Sequence, residues 1–373
     1  MTAPLHPFGK RWPLAWGVLV CLALPGALWA QSAGTPAPVD WKKANEAVAE
    51  FPRGHTDVLK WEQAQPVQPV TPARPAAALT LPTPAHAARL AWQTHRDLAG
   101  VQARAGADAT EAIAQGQWAA LDPRLLRRVH GTDELLAVAA QARKAWVHAV
   151  ATRQVLPHLQ TRADAADAAL ELGQRMVAVG NWSALQLATV QLAKTAAHRD
   201  WARARYAAAQ AQYELLRLLP ATVQVPEPAF PASLPDVPAQ QLSPAEATAR
   251  LQALHGHMPP ANAWAHATTA RLALAAYQAS WGVAQGYRED ELPTRQRITD
   301  ETLLRYNGML KSVWDLLTET GNQAQAQVEA VQAQRDFWLA HIDLTWTLQG
   351  GLPEALVSLG GGGGAAAASA AGH

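Results

Sequence analysis

The 373-residue chain holds a single cysteine, only four phenylalanines and five tyrosines, and almost no net charge. Cys21 lies inside the leading hydrophobic segment, so loss of that segment leaves neither disulfide nor thiol chemistry. A net charge of +1, with acids and bases mixed along the chain, offers no basic field to neutralise phosphates, which sets nucleic acid aside as a partner. Few phenyl rings beside fifteen tryptophans and abundant alanine favour closely packed helices over a thick globular core. No Ser-His-Asp set, paired carboxylate or phosphate-cradling glycine loop occurs in a supporting context, so no cofactor is implied and the chain reads as a non-enzyme. The charge run Arg288, Glu289, Asp290 and Glu291 reads as a solvated surface.

What is present is a set of segments. Lys10 and Arg11, an apolar stretch to Leu28 and the small residue Ala30 predict a signal peptide over 1–30. Pro25 and Gly26 argue against the alternative of a membrane anchor by breaking the stretch before the ~20 residues a spanning helix needs. Residues 31–84 read as a proline-rich arm, since prolines such as Pro66, Pro69, Pro72 and Pro75 cannot donate helix or sheet bonds. A first helical repeat is expected over 85–219, interrupted at Pro123 and Pro157, then a proline-rich linker over 220–242. A second helical repeat follows over 243–351, and 352–373 is a low-complexity tail. Leu303, Leu310 and Leu317, with Val313 between them and Val331 and Trp338 beyond, suggest heptad packing along the last helical block.

The two helical regions match when Ser183, Ala184, Leu185, Gln186 and Leu187 are laid on Ser312, Val313, Trp314, Asp315 and Leu316, an offset of about 130 residues. The same offset carries Leu219 onto Leu348, so both return helices end together. Upstream pairs Leu156-Pro157 and Leu292-Pro293 differ by about one heptad, which preserves the apolar face. Each half reads as a long helix, a turn near Gly180-Asn181 or Asn307-Gly308, and a returning helix; a kink within one helix is the alternative. The fold class expected is therefore all-α, long antiparallel helical hairpins in two structural repeats, with little or no β.

Gly180, Ser183, Gln186 and Leu187 in the first copy, and Ser312, Asp315, Leu316 and Leu317 in the second, resemble the hairpin motif of the outer membrane efflux (TolC) family. Arg305 and Tyr306 before the second motif, and Arg335 to Trp338 and Leu348 to Gly351 after it, strengthen the likeness. The resemblance implies a homotrimeric helical tube with a periplasmic adaptor and an inner-membrane pump as partners, passing solutes such as metal ions or small toxic molecules passively. It places Asp315 at an aperture, with Arg305, Lys311, Ser312, Gly180, Asn181, Ser183, Gln186, Asn307 and Gly308 at the tips. A solvated acid on an exposed helix face is the alternative for Asp315.

Three departures accompany the likeness. Gln186 replaces the usual acid and Met309 the usual glycine, and the barrel strands of the family have no counterpart, the stretch from Ala263 to Gln285 reading as helix. The location implied is periplasmic, and association with the outer membrane turns on those strands. A barrel-less periplasmic scaffold or metal-handling protein is the second reading. His255, His257 and Met258 are the one cluster with soft-metal character, short of a full coordination set.

Overall fold

The computed structural model describes residues 79–220 and 228–358. The expected signal peptide with Cys21, the proline-rich arm as far as residue 78, and the tail from residue 359 lie outside the described residues. Short helices come first: α1 (Pro84–Trp92), α2 (Leu98–Ala105), α3 (Ala107–Gln115) and α4 (Leu125–Arg128). Two long hairpins follow. The first joins α5 (Thr132–Ala178) to α6 (Ala184–Leu218). After α7 (Pro244–His255), the second runs through α8 (Pro260–Gly286), a π-helical turn (Tyr287–Glu291) and α9 (Leu292–Asn307), and returns as α10 (Val313–Leu348). The architecture is all-α, two long antiparallel hairpins. The β pairing among the described residues is one isolated parallel bridge between Thr80 and Ala229.

The hairpins pack through their inner members. α5 lies against both α6 and α10, and α10 lies against α8 and α9 on its other side. The α5 interface buries Trp146, Val147, Val150, Leu215, Val328, Val331 and Ile342. A separate cluster on α8 and α10 centres on Tyr277, Phe337, Leu344 and Leu348. Each such buried side chain contributes about 1.5–3 kcal/mol relative to exposure, so tertiary packing rather than helix propensity holds helices this long. The short N-terminal helices cap one end of α5 through Ile113, Leu135 and Trp92, whose indole donates to the Leu135 carbonyl at 3.0 Å.

Two sequence expectations need correcting. Pro157 does not interrupt the first repeat: α5 passes straight through it. An internal proline costs about 3 kcal/mol, and the buried Val155, Leu159 and Ala163 around it offset that cost. Leu303 and Leu310 do not continue a heptad into Leu317, because the chain reverses between them and both are exposed. The charge run from Arg288 to Glu291 is exposed, as a solvated surface should be, and lies in the π-helical turn just before Pro293. Pro293 has no N–H to give an ordinary helical bond four residues back, the kind of defect at which such turns arise.

The proline-rich stretch between the hairpins is pinned to them. Prolines lack donors but keep carbonyls: Pro235 accepts from Gln334 (2.7 Å) and Trp338 (2.8 Å), and Pro238 from Trp281 (2.9 Å). Leu234 donates its amide to Gln154 at 3.0 Å.

Candidate functional site: the hairpin tips and the edge helix

Both hairpins reverse by the same device. In the first, Gly180 donates to the Val177 carbonyl and Asn181 to that of Met176, each at 2.9 Å. In the second, Met309 donates to Tyr306 (3.0 Å) and Leu310 to Arg305 (2.8 Å), the repeat-related atoms. These are paired Schellman bonds, which require a left-handed residue just past the helix. That residue is Gly180 (φ 77°) in one tip and Met309 (φ 60°) in the other. The expected turn position Asn307-Gly308 is thus displaced by one residue: Gly308 has φ −81° and Asn307 is the last helical residue. A side chain held in this region costs about 1–2 kcal/mol, and Met309 is the sole non-glycine at positive φ among the described residues.

Capping boxes start both return helices. Ser183 accepts from the Gln186 amide (3.2 Å) while Gln186 Oε1 accepts from the Ser183 amide (2.9 Å). Ser312 and Asp315 repeat this at 3.2 and 2.9 Å. Each box satisfies two otherwise orphaned amides at a helix start. Asp315 also accepts from the Ser312 hydroxyl (2.8 Å) and lies 3.4 Å from Lys311 Nζ. Hydrogen bonds from the Ser312 amide and hydroxyl, then the Lys311 ammonium, hold its carboxyl below the usual carboxylate range. Arg305, also expected at the tip, pairs with Glu301 at 2.7 Å rather than with Asp315.

The tips meet through a stack the sequence reading did not single out. The rings of Trp182 and Trp314 lie 4.3 Å apart and 23° from parallel. Trp182 also sits over Gly173, where an added Cβ would come within 3.2 Å of the indole. The visible signal was one tryptophan within two residues of each capping serine. Apolar side chains project beyond the stack: Met309 is 93% exposed and Leu310 79%.

A second exposed apolar feature runs along α6. Leu185, Leu192, Tyr206 and Tyr213 lie at seven-residue steps, with Arg199 at the intervening position, and all are exposed. Between them Ala188, Thr195, Ala202 and Ala209 are exposed too, which alternates a large and a small row in the manner of a coiled-coil seam. On the far side of the hairpins, Trp264, Leu272, Val283, Ile298 and Leu304 of α8 and α9 are likewise exposed.

The metal candidates separate. His257 lies against Arg124, Nε2 to Nε 3.4 Å, whereas His255 meets His266 of α8, Nε2 to Nδ1 3.0 Å. Met258 and His257 share with His266 the wall of a cavity of about 480 Å³. No group of three or more His, Cys, Asp or Glu side chains able to hold a metal ion is found among the described residues.

The fold and its exposed faces define an all-α protein of two capped, repeat-related hairpins with an uncovered helical edge. No protein-family model and no curated protein matches the chain. Among solved structures it is similar to CusC, described in connection with folding and transmembrane channel formation (11% identity, TM-score 0.48, covering 71% of this chain and 91% of that one). It is also similar to the CmeC outer membrane channel of Campylobacter jejuni (13% identity, TM-score 0.44, 65% and 67%) and to a membrane protein from Pseudomonas aeruginosa (13%, 0.40, 64% and 73%).

Proposed function

We propose that this chain is a passive conduit component of a multi-part export system in the cell envelope, working by assembly rather than catalysis. The observation that carries the reading is the α6 seam, where Leu185, Leu192, Tyr206 and Tyr213 at heptad spacing around Arg199 are left exposed by the described residues. Apolar stripes of that length on soluble surfaces mark an interface. In a homotrimer the α6 seam of one copy meets the exposed α8 and α9 face of the next, a heterologous contact that closes into a ring when repeated.

The tips then face one end of the tube together. Met309 and Leu310 offer a periplasmic adaptor an apolar contact, and Asp315, ionised at neutral pH, borders the opening and favours cations. An inner-membrane pump supplies the energy, and the cargo is metal ions or small toxic solutes. A second reading, a periplasmic scaffold that keeps the hairpins without the conduit, is favoured by α8, which continues as helix where the family places strands.

Cell fractionation of the mature protein tests the choice. Recovery with outer membranes as a trimer supports the conduit, whereas release with soluble periplasm as a monomer refutes it and leaves the scaffold.

A further inference from the structure

The cavity of about 480 Å³ opens where α4, the α7–α8 turn and the segment after α10 meet, at the end of α5 that lies about 70 Å from the tips. One part of its wall is apolar, made by Leu126, Met258, Pro259, Ala265 and Leu352. Leu352 is 51% exposed, a large side chain left uncovered there. The polar part carries cations and no acid: Arg127 is exposed at the rim beside His257, and Arg124 Nε donates to His257 Nε2 at 3.4 Å. We propose that this cavity takes a single-chain amphipathic anion, its carboxylate or phosphate headgroup against Arg127 and Arg124 and its hydrocarbon chain on the wall of Leu126, Met258 and Leu352.

The two parts of the wall select the two parts of the ligand. The volume lies within the ~300–1,000 Å³ of sites that bury a small molecule, and an apolar lining with a few polar groups at its rim is their usual composition. Charge fixes the sign of the head. No Asp or Glu occurs between Gln252 and Arg288, the stretch that supplies the α7–α8 turn and all of α8. Asp122, the acid nearest in sequence to the cavity's arginines, is already engaged: it accepts from the Arg124 amide at 2.9 Å and pairs with Arg128 at 3.0 Å. That leaves the guanidiniums of Arg127 and Arg124 to a ligand, and their planar N–H donors match the oxygens of a carboxylate or phosphate. The Met258 thioether adapts to the shape of a chain laid on it. Gly350 keeps the wall closed behind: its φ is 100°, and an added Cβ would come within 2.1 Å of Leu126 Cδ1, so the segment after α10 runs directly against α4.

The site is separate from the hairpin tips and does not rest on the conduit reading. The test is equilibrium dialysis of the full chain, stripped of lipid, against radiolabelled palmitate and lysophosphatidylglycerol below their micellar concentrations. Inorganic phosphate and palmityl alcohol are the head-only and chain-only controls. Expected is one saturable equivalent of an anionic amphiphile, bound about tenfold or more tighter than either control. Whichever of palmitate and lysophosphatidylglycerol binds more tightly identifies the head as carboxylate or phosphate. Arg127→Gln, at an exposed position, lowers the affinity for the anions by about tenfold or more and leaves that for the alcohol unchanged. Leu352→Asp, on the apolar wall, repeats the loss, with circular dichroism reporting the fold of both variants. Uptake that does not saturate, a control that binds as tightly as the amphiphiles, or either variant binding as tightly as the parent overturns the assignment.

Discussion

α6 and α10 are the return helices of two hairpins that start on the same capping box and end at repeat-related leucines, yet their surroundings are opposite. Tyr213 of α6 is 66% exposed, while Ile342, its repeat-related residue in α10, is 1% exposed. The same holds one heptad pair back, where Arg199 is exposed and Val328 buried. A backbone repeat therefore does not fix burial: side-chain choice decides which return helix becomes the centre and which the edge. α10 lies between α5 on one side and α8 and α9 on the other, whereas α6, among the described helices, packs chiefly on α5. The edge helix kept large residues on its outer face, and that asymmetry is the chain's main statement about assembly.

Acid should separate the central helices from the edge most strongly. His148 of α5 and His341 of α10 are half-buried between packed helices, and desolvation lowers their pKa to about 4 and about 3. As pH falls below 6.5 the unfolded chain takes up protons that these rings refuse, so stability is full above about 6.5 and drains on the way to about 4. The loss is on the order of several kcal/mol, offset in part by Asp343, whose carboxyl burial pushes upward. Denaturant midpoints across that range check it, and a flat profile would break the comparison.

Truncation gives the next largest contrast. Phe337→Ala, within the α8–α10 core, should cost about 3–5 kcal/mol. Tyr213→Ala, on the α6 edge, should change the dissociated chain by no more than about 0.5 kcal/mol. Chemical denaturation of both variants in dilute solution reads the difference.

The tips sharpen the comparison at smaller scale. Gly180→Ala should destabilise by about 1 kcal/mol, because no neighbour lies within 4 Å of an added Cβ and only the φ of 77° opposes it. Met309→Gly should stabilise by a similar amount, and thermal melts should move in opposite directions. Replacing Ser183 or Ser312 by alanine should cost about 1 kcal/mol each. Acid distinguishes the two boxes, because the Asp315 carboxyl is held below its ordinary range. Its contribution is present above that range and disappears as pH falls through the lowered value, whereas Gln186 does not titrate. The amide exchange rates of the two caps should therefore diverge below pH ~4.

Much of this was readable because capping boxes and long amphipathic helices are local. Ser183 with Gln186 and Ser312 with Asp315 stood out as matched motifs, and their spacing of three is the spacing a capping box demands. The left-handed Met309 was half readable: the resemblance marked 309 as a glycine position, but a rule that favours glycine and asparagine pointed to Asn307-Gly308, and the six-residue bonding frame shared with the first tip overrode it. Pro157 misled for a related reason, since propensity counts the lost hydrogen bond but not the packing around it. The His255–His266 pair and the Trp182–Trp314 stack are contacts between separate elements, beyond what periodicity reports. The exposure of the α6 heptad was equally hidden, because seven-residue spacing marks a packing face without saying whether the packing partner is in the same chain.

That partner is the point on which the account turns. The decisive measurement is the mass of the mature protein in mild detergent by light scattering, compared with a Leu192→Glu, Tyr206→Glu double variant. The account predicts a trimer that the double variant dissociates to a folded monomer. A parent protein that is already monomeric, or a trimer indifferent to both substitutions, would contradict it.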